Sequence, residues 1–208
     1  MRAAWRLLVP LAALASLAPS AAWSAYPGQD PNWPCQQRLV PSLTAASFWS
    51  GPAPDSGADW HAVPKVVALV ARIGPRKISA AEGEAAIAAF NGELSEDERA
   101  RLAPLIFAGL LEETNRQRGQ LIGQIKTLGE RQRRLADLVA QVTAEQDAIP
   151  AQAQGAEADK RADLEQRRAF LIREFEEAQR TMRYACEAPV QLEARLGAYA
   201  RALQGAPR

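Results

Sequence analysis

Residues 107–185 carry apolar side chains at spacings that alternate between four and three positions. In the first stretch, which ends at residue 149, nine of the thirteen positions in this register are apolar. A second stretch resumes the alternation from residue 164 to residue 185. This spacing is typical of helices that pack along a shared seam. Because helix breakers separate the two stretches, we expect them to form an antiparallel coiled-coil hairpin with its tip near residues 149–156.

The two registers define the expected seam. The first comprises Phe107, Leu111, Thr114, Arg118, Leu121, Ile125, Leu128, Gln132, Leu135, Val139, Val142, Gln146 and Ile149, and the second comprises Leu164, Arg168, Leu171, Phe175, Ala178, Met182 and Ala185. Polar residues interrupt the apolar pattern at Gln132, Gln146 and Arg168. They either fix the register of the two helices or mark a distal part that opens to take a partner helix.

Three further segments are expected to form short helices or helix starts around the hairpin. Residues 63–75 are rich in Val and Ile, and Pro64 suits a first helical turn. A buried strand is the alternative for this segment, and we prefer a helix because nothing else in the chain offers a strand partner. The pairs Ser79–Glu82 and Ser95–Glu98 have the capping-box spacing and therefore predict two helix starts.

Helix lengths set the expected shape. Pro104 is expected to kink or break the first long helix near its start, and Pro189 to end the second. A helix from Pro104 to Ala148 would be roughly 65 Å long, and a return helix from Glu157 to Ala185 roughly 43 Å. The first would therefore overhang the second. We expect the short helices, a separate last helix at 190–203 and the N-terminal segment to cover the overhang.

The fold predicted from these elements is all-α, with a small helical head and a long projecting antiparallel coiled-coil hairpin. The predicted boundaries are a signal peptide at 1–25, a Pro/Trp-rich extended arm at 26–60, short head helices at 61–94, the hairpin at 95–187 and a C-terminal helix packing on the head at 188–208.

The first 25 residues have the pattern of a secretory signal peptide. Arg2 and Arg6 precede a 12-residue apolar run, and small residues follow it, so we expect cleavage near Ala22–Ala25. An uncleaved anchor is the alternative, but the run is short for spanning a bilayer. The expected location is periplasmic or secreted, with no integral membrane segment after cleavage. Cleavage leaves 23 basic and 24 acidic residues, which disfavours nucleic acid as a partner.

Cys35 and Cys186 are the two cysteines, separated by 151 positions. In an exported chain they predict one disulfide that pins the arm to the second long helix. A redox-active pair is the alternative, and the absence of a C-x-x-C spacing favours the structural bridge. One His and two Cys are too few for most zinc or iron–sulfur sites, so we expect no metal and no cofactor.

The arm concentrates the tryptophans of the mature chain. Trp33, Trp49 and Trp60 are expected to dock on the helices. An exposed aromatic patch that binds a carbohydrate or a peptide is the sharper alternative.

A polar stretch on the first long helix contains Glu113, Asn115 and Arg116, and the hairpin should bring Arg183 near it. This cluster is either an interhelical lattice of ion pairs or a binding site. Catalysis by Glu113 lacks a nucleophile or a second positioned acid. Arg131, Arg133 and Arg134 should face Glu174, Glu176 and Glu177 across the hairpin.

His61 with Asp55 and Asp59 is an incomplete ligand set, and ordinary turn chemistry explains these residues. The chain contains none of the common phosphate-loop, esterase, zinc-protease or EF-hand motifs.

The leading functional hypothesis is a non-enzymatic exported protein that acts as a scaffold, adaptor or assembly factor for unknown envelope proteins. In general build, the predicted chain resembles periplasmic coiled-coil adaptors and holdase chaperones. Association of the chain with itself through the hairpin is a further expectation. The alternative is a periplasmic ligand-binding or sensor module that uses the aromatic head, and a third hypothesis is redox or catalytic use of Cys35 and Cys186.

Overall fold

The computed structural model describes residues 30, 32–53 and 59–205. Their regular structure is entirely helical, in the order α1 (Pro64–Ile73), α2 (Ala80–Gly92), α3 (Glu96–Asp147) and α4 (Ala156–Leu203). Single 3-10 turns at Ala45–Ser47 and Trp60–Ala62 precede them. The predicted all-α class is confirmed. The predicted signal peptide and Asp55 lie outside the described residues.

The helix starts follow the local sequence signals. Pro64 is the first residue of α1, where its missing N–H costs no hydrogen bond, and the strand alternative for this segment is wrong. Both predicted capping boxes are present. In each, the backbone N–H of a serine donates to a glutamate, and the N–H of that glutamate donates back to the serine: Ser79 with Glu82 before α2, and Ser95 with Glu98 before α3.

The two long helices pack antiparallel and form the hairpin. Every position of the two predicted registers is buried or half-buried, which confirms the seam. Near the tip, Val142 packs with Leu164 and Leu171. The loop between α3 and α4 ends at Gly155, whose φ of 61° is a left-handed conformation that favours glycine.

The head is built where α1 and α2 pack against the ends of α3 and α4. Its core joins side chains from all four helices and from the arm: Leu43, Val66, Leu69, Val70, Ile73, Ala86, Ile87, Leu102, Ala103, Leu105, Ile106, Phe107, Leu110, Leu196, Tyr199, Ala200 and Leu203. Helix α2 approaches α4 closely at Gly83. A Cβ there would lie within 2.3 Å of the ring of Tyr199, so α2 meets α4 at a position that only glycine fits.

The predicted break at Pro189 is wrong, since α4 continues through it to Leu203. The buried side chains explain the continuity. After Ala185 the four–three spacing runs on through Pro189, Leu192, Leu196, Tyr199 and Leu203, and Pro189 and all that follow it are buried. Packing along this stripe outweighs the hydrogen bond that proline removes, a cost of about 3 kcal/mol. Residues 190–203 do pack on the head, but as the end of α4.

The predicted overhang of the first helix is therefore also wrong. The two long helices have 52 and 48 residues, and both reach from the head to the tip. Pro104 lies inside α3 and does not end it. At 1.5 Å per residue the hairpin is roughly 75 Å long.

The arm lies lengthwise along one flank of α3 and runs antiparallel to it. A Cβ on Gly129 would come within 3.1 Å of the Pro34 ring, so the arm and α3 are in close contact there. Further along, Leu43 is hydrogen-bonded to Asn115. Nearer the head, the Trp49 ring stacks on Phe107 with 4.9 Å between centroids. The arm thus covers the flank from the middle of the hairpin to the head.

The predicted disulfide between Cys35 and Cys186 is present, with 5.7 Å between the Cα atoms. It joins the arm to α4 beside a small cluster formed by Trp33, Ile122, Ile125 and Met182. Among the described residues, no helix is long and apolar enough to cross a membrane.

Candidate functional site

The three tryptophans of the arm are engaged in contacts within the chain. Trp33 is only 8% exposed, and its indole N–H donates to the carbonyl of Gln37 at 2.7 Å. Trp49 stacks on Phe107, and its indole N–H donates to the carbonyl of Pro52. This agrees with the docking interpretation, since a sugar- or peptide-binding platform needs exposed ring faces.

Trp60 closes the arm onto the head. Its indole N–H donates to a Glu112 carboxylate oxygen at 2.9 Å. The ring lies against Gly109, where a Cβ would be only 2.9 Å from the indole. The Trp60 ring also stacks with the ring of His61, with 3.8 Å between centroids. Trp60 therefore supports the packing between the arm, α1 and α3.

His61 and Asp59 belong to the same turn. The backbone N–H of His61 donates to the Asp59 carboxylate at 2.9 Å, and this hydrogen bond lowers the pKa of Asp59. Both side chains are more than half exposed. The arrangement is a capped turn, in agreement with the structural interpretation of this pair. Asp55 lies outside the described residues.

The predicted polar cluster divides into separate contacts. Asn115 faces the arm, where it binds the backbone of Leu43. Glu113 faces the head side: its carboxylate accepts from Arg116 at 2.5 and 2.7 Å and from Gln117 at 2.6 Å. The hydrogen bond from Arg116 is the main cause of the lowered pKa of Glu113. Arg183 is exposed and does not join this cluster within the described part of the chain.

Two buried arginines hold the head together, and neither was singled out as a site from the sequence. Arg118 is 3% exposed; it donates to the Val40 carbonyl at 3.0 Å and to Glu193 at 2.6 Å. It therefore ties the arm to α3 and α4. The sequence did contain a sign of this role: Arg118 occupies a position of the seam register, where a buried charge needs a partner.

Arg195 acts at the end of α1. Its guanidinium donates to the carbonyl oxygens of Gly74, Pro75 and Ile78, at 2.8, 2.8 and 3.1 Å. Burial lowers its pKa. Carbonyls at a helix C-terminus have no partners within the helix, and a buried guanidinium satisfies several of them at once. No local sequence pattern marks this role, because the carbonyl groups that Arg195 binds lie 117 to 121 positions earlier in the chain.

The described basic residues of the middle hairpin are partly paired, as predicted. Arg131 pairs with Glu174 across the hairpin at 3.1 Å. Arg133 donates instead to the side chain of Asn32 in the arm. Glu177 pairs along its own helix with Arg180 at 2.7 Å. Of the predicted ion pairs across the hairpin, the one between Arg131 and Glu174 is therefore present, and Arg133 contacts the arm.

The contacts of the described arm residues extend along α3 as far as Arg133, and no described arm residue contacts the hairpin beyond that point. Three large apolar side chains are exposed there: Leu138 (36%), Phe170 (54%) and Ile172 (39%). We call residues 134–173 the distal hairpin. Among the described residues, no group of His, Cys, Asp and Glu side chains is arranged to hold a metal ion. The distal hairpin is the candidate functional surface because it is the long element least used in packing.

Comparison of the chain with protein-family models, with curated proteins and with solved structures found no match in any of the three.

Proposed function

We propose that this protein is an exported, non-enzymatic scaffold or adaptor that works through protein–protein contacts made by the distal hairpin. The observation that carries the proposal is the contrast between the two ends of the hairpin. At the head end, α1, α2 and the arm cover much of the hairpin and leave Tyr184 and Val190 exposed on α4. The distal hairpin, which no described arm residue contacts, exposes Leu138, Phe170 and Ile172. An apolar surface held away from the body of a protein is typical of an interaction site.

Export is supported by two independent features. The N-terminal sequence has the signal-peptide pattern. The disulfide between Cys35 and Cys186 suits an oxidising compartment such as the periplasm or the extracellular space. In this view the bridge is structural, because Cys35 is buried beside Trp33 and packs within the arm–hairpin contact.

The engagement of the aromatic residues also favours a scaffold over a ligand-binding head. Trp33, Trp49 and Trp60 all use their indole N–H groups for contacts within the chain. The sequence offered the aromatic head as the alternative binding surface. That alternative would need these rings to leave their places on the helices before a ligand could bind.

Site-specific photocrosslinking in the producing cells tests the proposal. A photoreactive residue is placed at Phe170 or Leu138, and a matched control is placed at Val190, which is 49% exposed on α4 but near the head. We expect protein adducts from Phe170 and Leu138 and none from Val190. No adduct from the distal positions, or equal labelling at Val190, contradicts the proposal.

A further inference from the structure

Among the residues that the structure describes, no further element covers one flank of the hairpin beyond the head. Residues 115, 122 and 129 of α3 lie on the flank that the arm occupies, and residues 131, 138 and 145 lie on the other flank because each residue turns the helix by about 100°. The ion pair between Arg131 and Glu174 shows which side of α4 adjoins this second flank. We call this surface the bare face. It comprises Arg131, Arg134, Leu138, Gln141 and Glu145 of α3 and Lys160, Asp163, Arg167, Phe170 and Glu174 of α4.

The apolar residues of the bare face lie near its centre. Leu138 and Phe170 come from different helices, at nearly the same height along the hairpin, because Leu135 packs in one cluster with Leu171. Phe170 is more than half exposed. Polar and charged side chains flank the two on both sides. Single exposed apolar residues are common, so the nature of the partner has to follow from a second property of the surface.

That second property is the order of charge along the hairpin. Over all its faces the tip segment, residues 141–165, has six acidic and two basic side chains, a formal charge of −4. On the bare face itself, Glu145, Asp163 and Lys160 give this segment a charge of −1. Over all its faces the adjoining middle segment, residues 131–140 and 166–174, has six basic and two acidic side chains, a formal charge of +4. On the bare face itself, Arg131, Arg134, Arg167 and Glu174 give this segment a charge of +2. Leu138 and Phe170 lie in the middle segment close to the border between the two.

We propose that the bare face is the contact surface of a two-fold symmetric, antiparallel dimer with a second copy of this chain. In that arrangement the acidic tip segment of each copy lies on the basic middle segment of the other, and the symmetry makes both contacts equivalent. A parallel arrangement would place like charges opposite each other. The symmetry axis passes near the border of the segments, so Leu138 and Phe170 of both copies are buried around it.

The inference rests on the proposed function, because it takes the distal hairpin as a contact surface, and it names the partner. Two helices about 10 Å wide and an overlap of roughly 25 Å bury roughly 500 Å² on each copy. The total is close to the lower limit for a specific interface, so the dimer should be reversible. Its two heads lie at opposite ends of a rod roughly 125 Å long.

Analytical ultracentrifugation of the purified protein over a concentration series tests the dimer. We expect reversible dimers that weaken at high salt. Phe170→Arg should raise the dissociation constant at least about tenfold, as loss of a central interface residue does. Val190→Arg adds the same charge to an exposed position of α4 outside the bare face and should leave the constant unchanged. Circular dichroism verifies that both variants keep their helices.

A charge-reversal pair tests the antiparallel arrangement itself. Asp163 and Arg167 lie one turn apart on α4 at the border of the segments. Arg167→Glu alone and Asp163→Arg alone should each prevent self-association, because each places like charges opposite each other. A mixture of the two variants should associate, since every contact then joins opposite charges.

The outcomes separate this inference from the proposed function. A monomer at every concentration, or a dimer indifferent to Phe170→Arg, overturns the antiparallel dimer. So does a mixture of the two charge variants that stays monomeric while the parent protein dimerises. None of these results removes adducts with other proteins in the crosslinking experiment, which is the measure of the proposed function.

Discussion

Asn115 and Leu43 exchange two hydrogen bonds across 72 positions of the chain. The Asn115 side-chain oxygen accepts from the Leu43 N–H at 2.8 Å, and its amide nitrogen donates to the Leu43 carbonyl at 3.0 Å. A single side chain thereby satisfies both the N–H and the carbonyl group of Leu43, a residue outside any helix. This contact lets the arm lie on α3 at Leu43 without leaving the polar backbone groups of that residue unpaired.

Asn115→Ala should lower the free energy of unfolding by about 1–3 kcal/mol, because it leaves two backbone groups of Leu43 without partners. Asn115→Asp keeps the acceptor but replaces the donor with a carboxylate oxygen that faces the Leu43 carbonyl oxygen, so it should also lower the free energy of unfolding. Urea denaturation measures both. Hydrogen exchange at Leu43 adds a local readout: the amide should exchange faster in the alanine variant, and unchanged protection would contradict the assigned role.

Replacing Cys35 and Cys186 with serine should destabilise the protein strongly while leaving the long helices formed. In the chain-entropy model, closing a loop of this length contributes about 5 kcal/mol. Guanidinium denaturation of the parent and the double variant measures the difference. Reducing agent should bring the parent to the stability of the variant and should leave the variant unchanged. A bridge with little stabilising effect would revive the redox interpretation.

Gly83→Ala should destabilise the head by about 1–3 kcal/mol, the usual cost of overpacking, although alanine favours helices. The reason is the Cβ position, which falls 2.2 Å from the Tyr199 hydroxyl oxygen. Gly123→Ala is the matched control in α3, because nothing lies within 4 Å of the added Cβ. It should stabilise the protein by about 0.5–1 kcal/mol.

The close approach of Gly83 and Tyr199 is tested by asking whether substitutions at the two positions have non-additive effects on stability. In a Tyr199→Leu background, which removes the ring from α2, the cost of Gly83→Ala should fall. Additive costs in thermal or chemical denaturation would mean that the ring is not what excludes alanine.

The stability of the protein should decline as the pH falls below about 4.5. Hydrogen bonds from Arg116, Lys65 and Lys126 lower the pKa values of Glu113, Glu98 and Asp30 from their ordinary values of 4.5, 4.5 and 3.8. A carboxylate with a lowered pKa stabilises the folded state above its unfolded pKa, and this contribution is lost as the pH falls through the folded pKa. Denaturation curves at a series of pH values measure the slope.

Glu113→Gln should make that slope shallower, and Arg116→Gln should do the same because it removes the main cause of the shift at Glu113. If both variants keep the parent slope, the pair at Glu113 contributes nothing to acid sensitivity.

Local rules predicted much of this fold because several of its determinants are local. The serine–glutamate capping boxes and Pro64 mark where helices begin, and the four–three spacing marks which residues face the seam. The predicted helix end at Pro189 was wrong because it relied on the proline alone and not on the four–three spacing around it. The same spacing continues through Leu192, Leu196 and Tyr199, and burial of that stripe decides the structure.

The candidate site was harder to predict, because it depends on what covers each surface. The sequence offered binding as one of two interpretations for Trp33 and Glu113, and both residues make contacts within the chain. Phe170 carried no special signal, since an apolar residue beside a seam is as often buried as exposed. Its exposure follows from which flank of the hairpin the arm occupies, and that placement depends on contacts such as those of Asn32 with Glu130 and Arg133.

The position of the disulfide has a consequence for the order of assembly. Cys35 is made early and Cys186 late, 151 residues apart. The groove that receives Trp33 is formed by Ile122, Ile125 and Met182, so it does not exist until both long helices have paired. The arm is synthesised before both long helices and is thus among the last segments to find its place. Because the chain has only two cysteines, the waiting thiol has one partner within its own molecule, and only the thiol of another molecule competes for it.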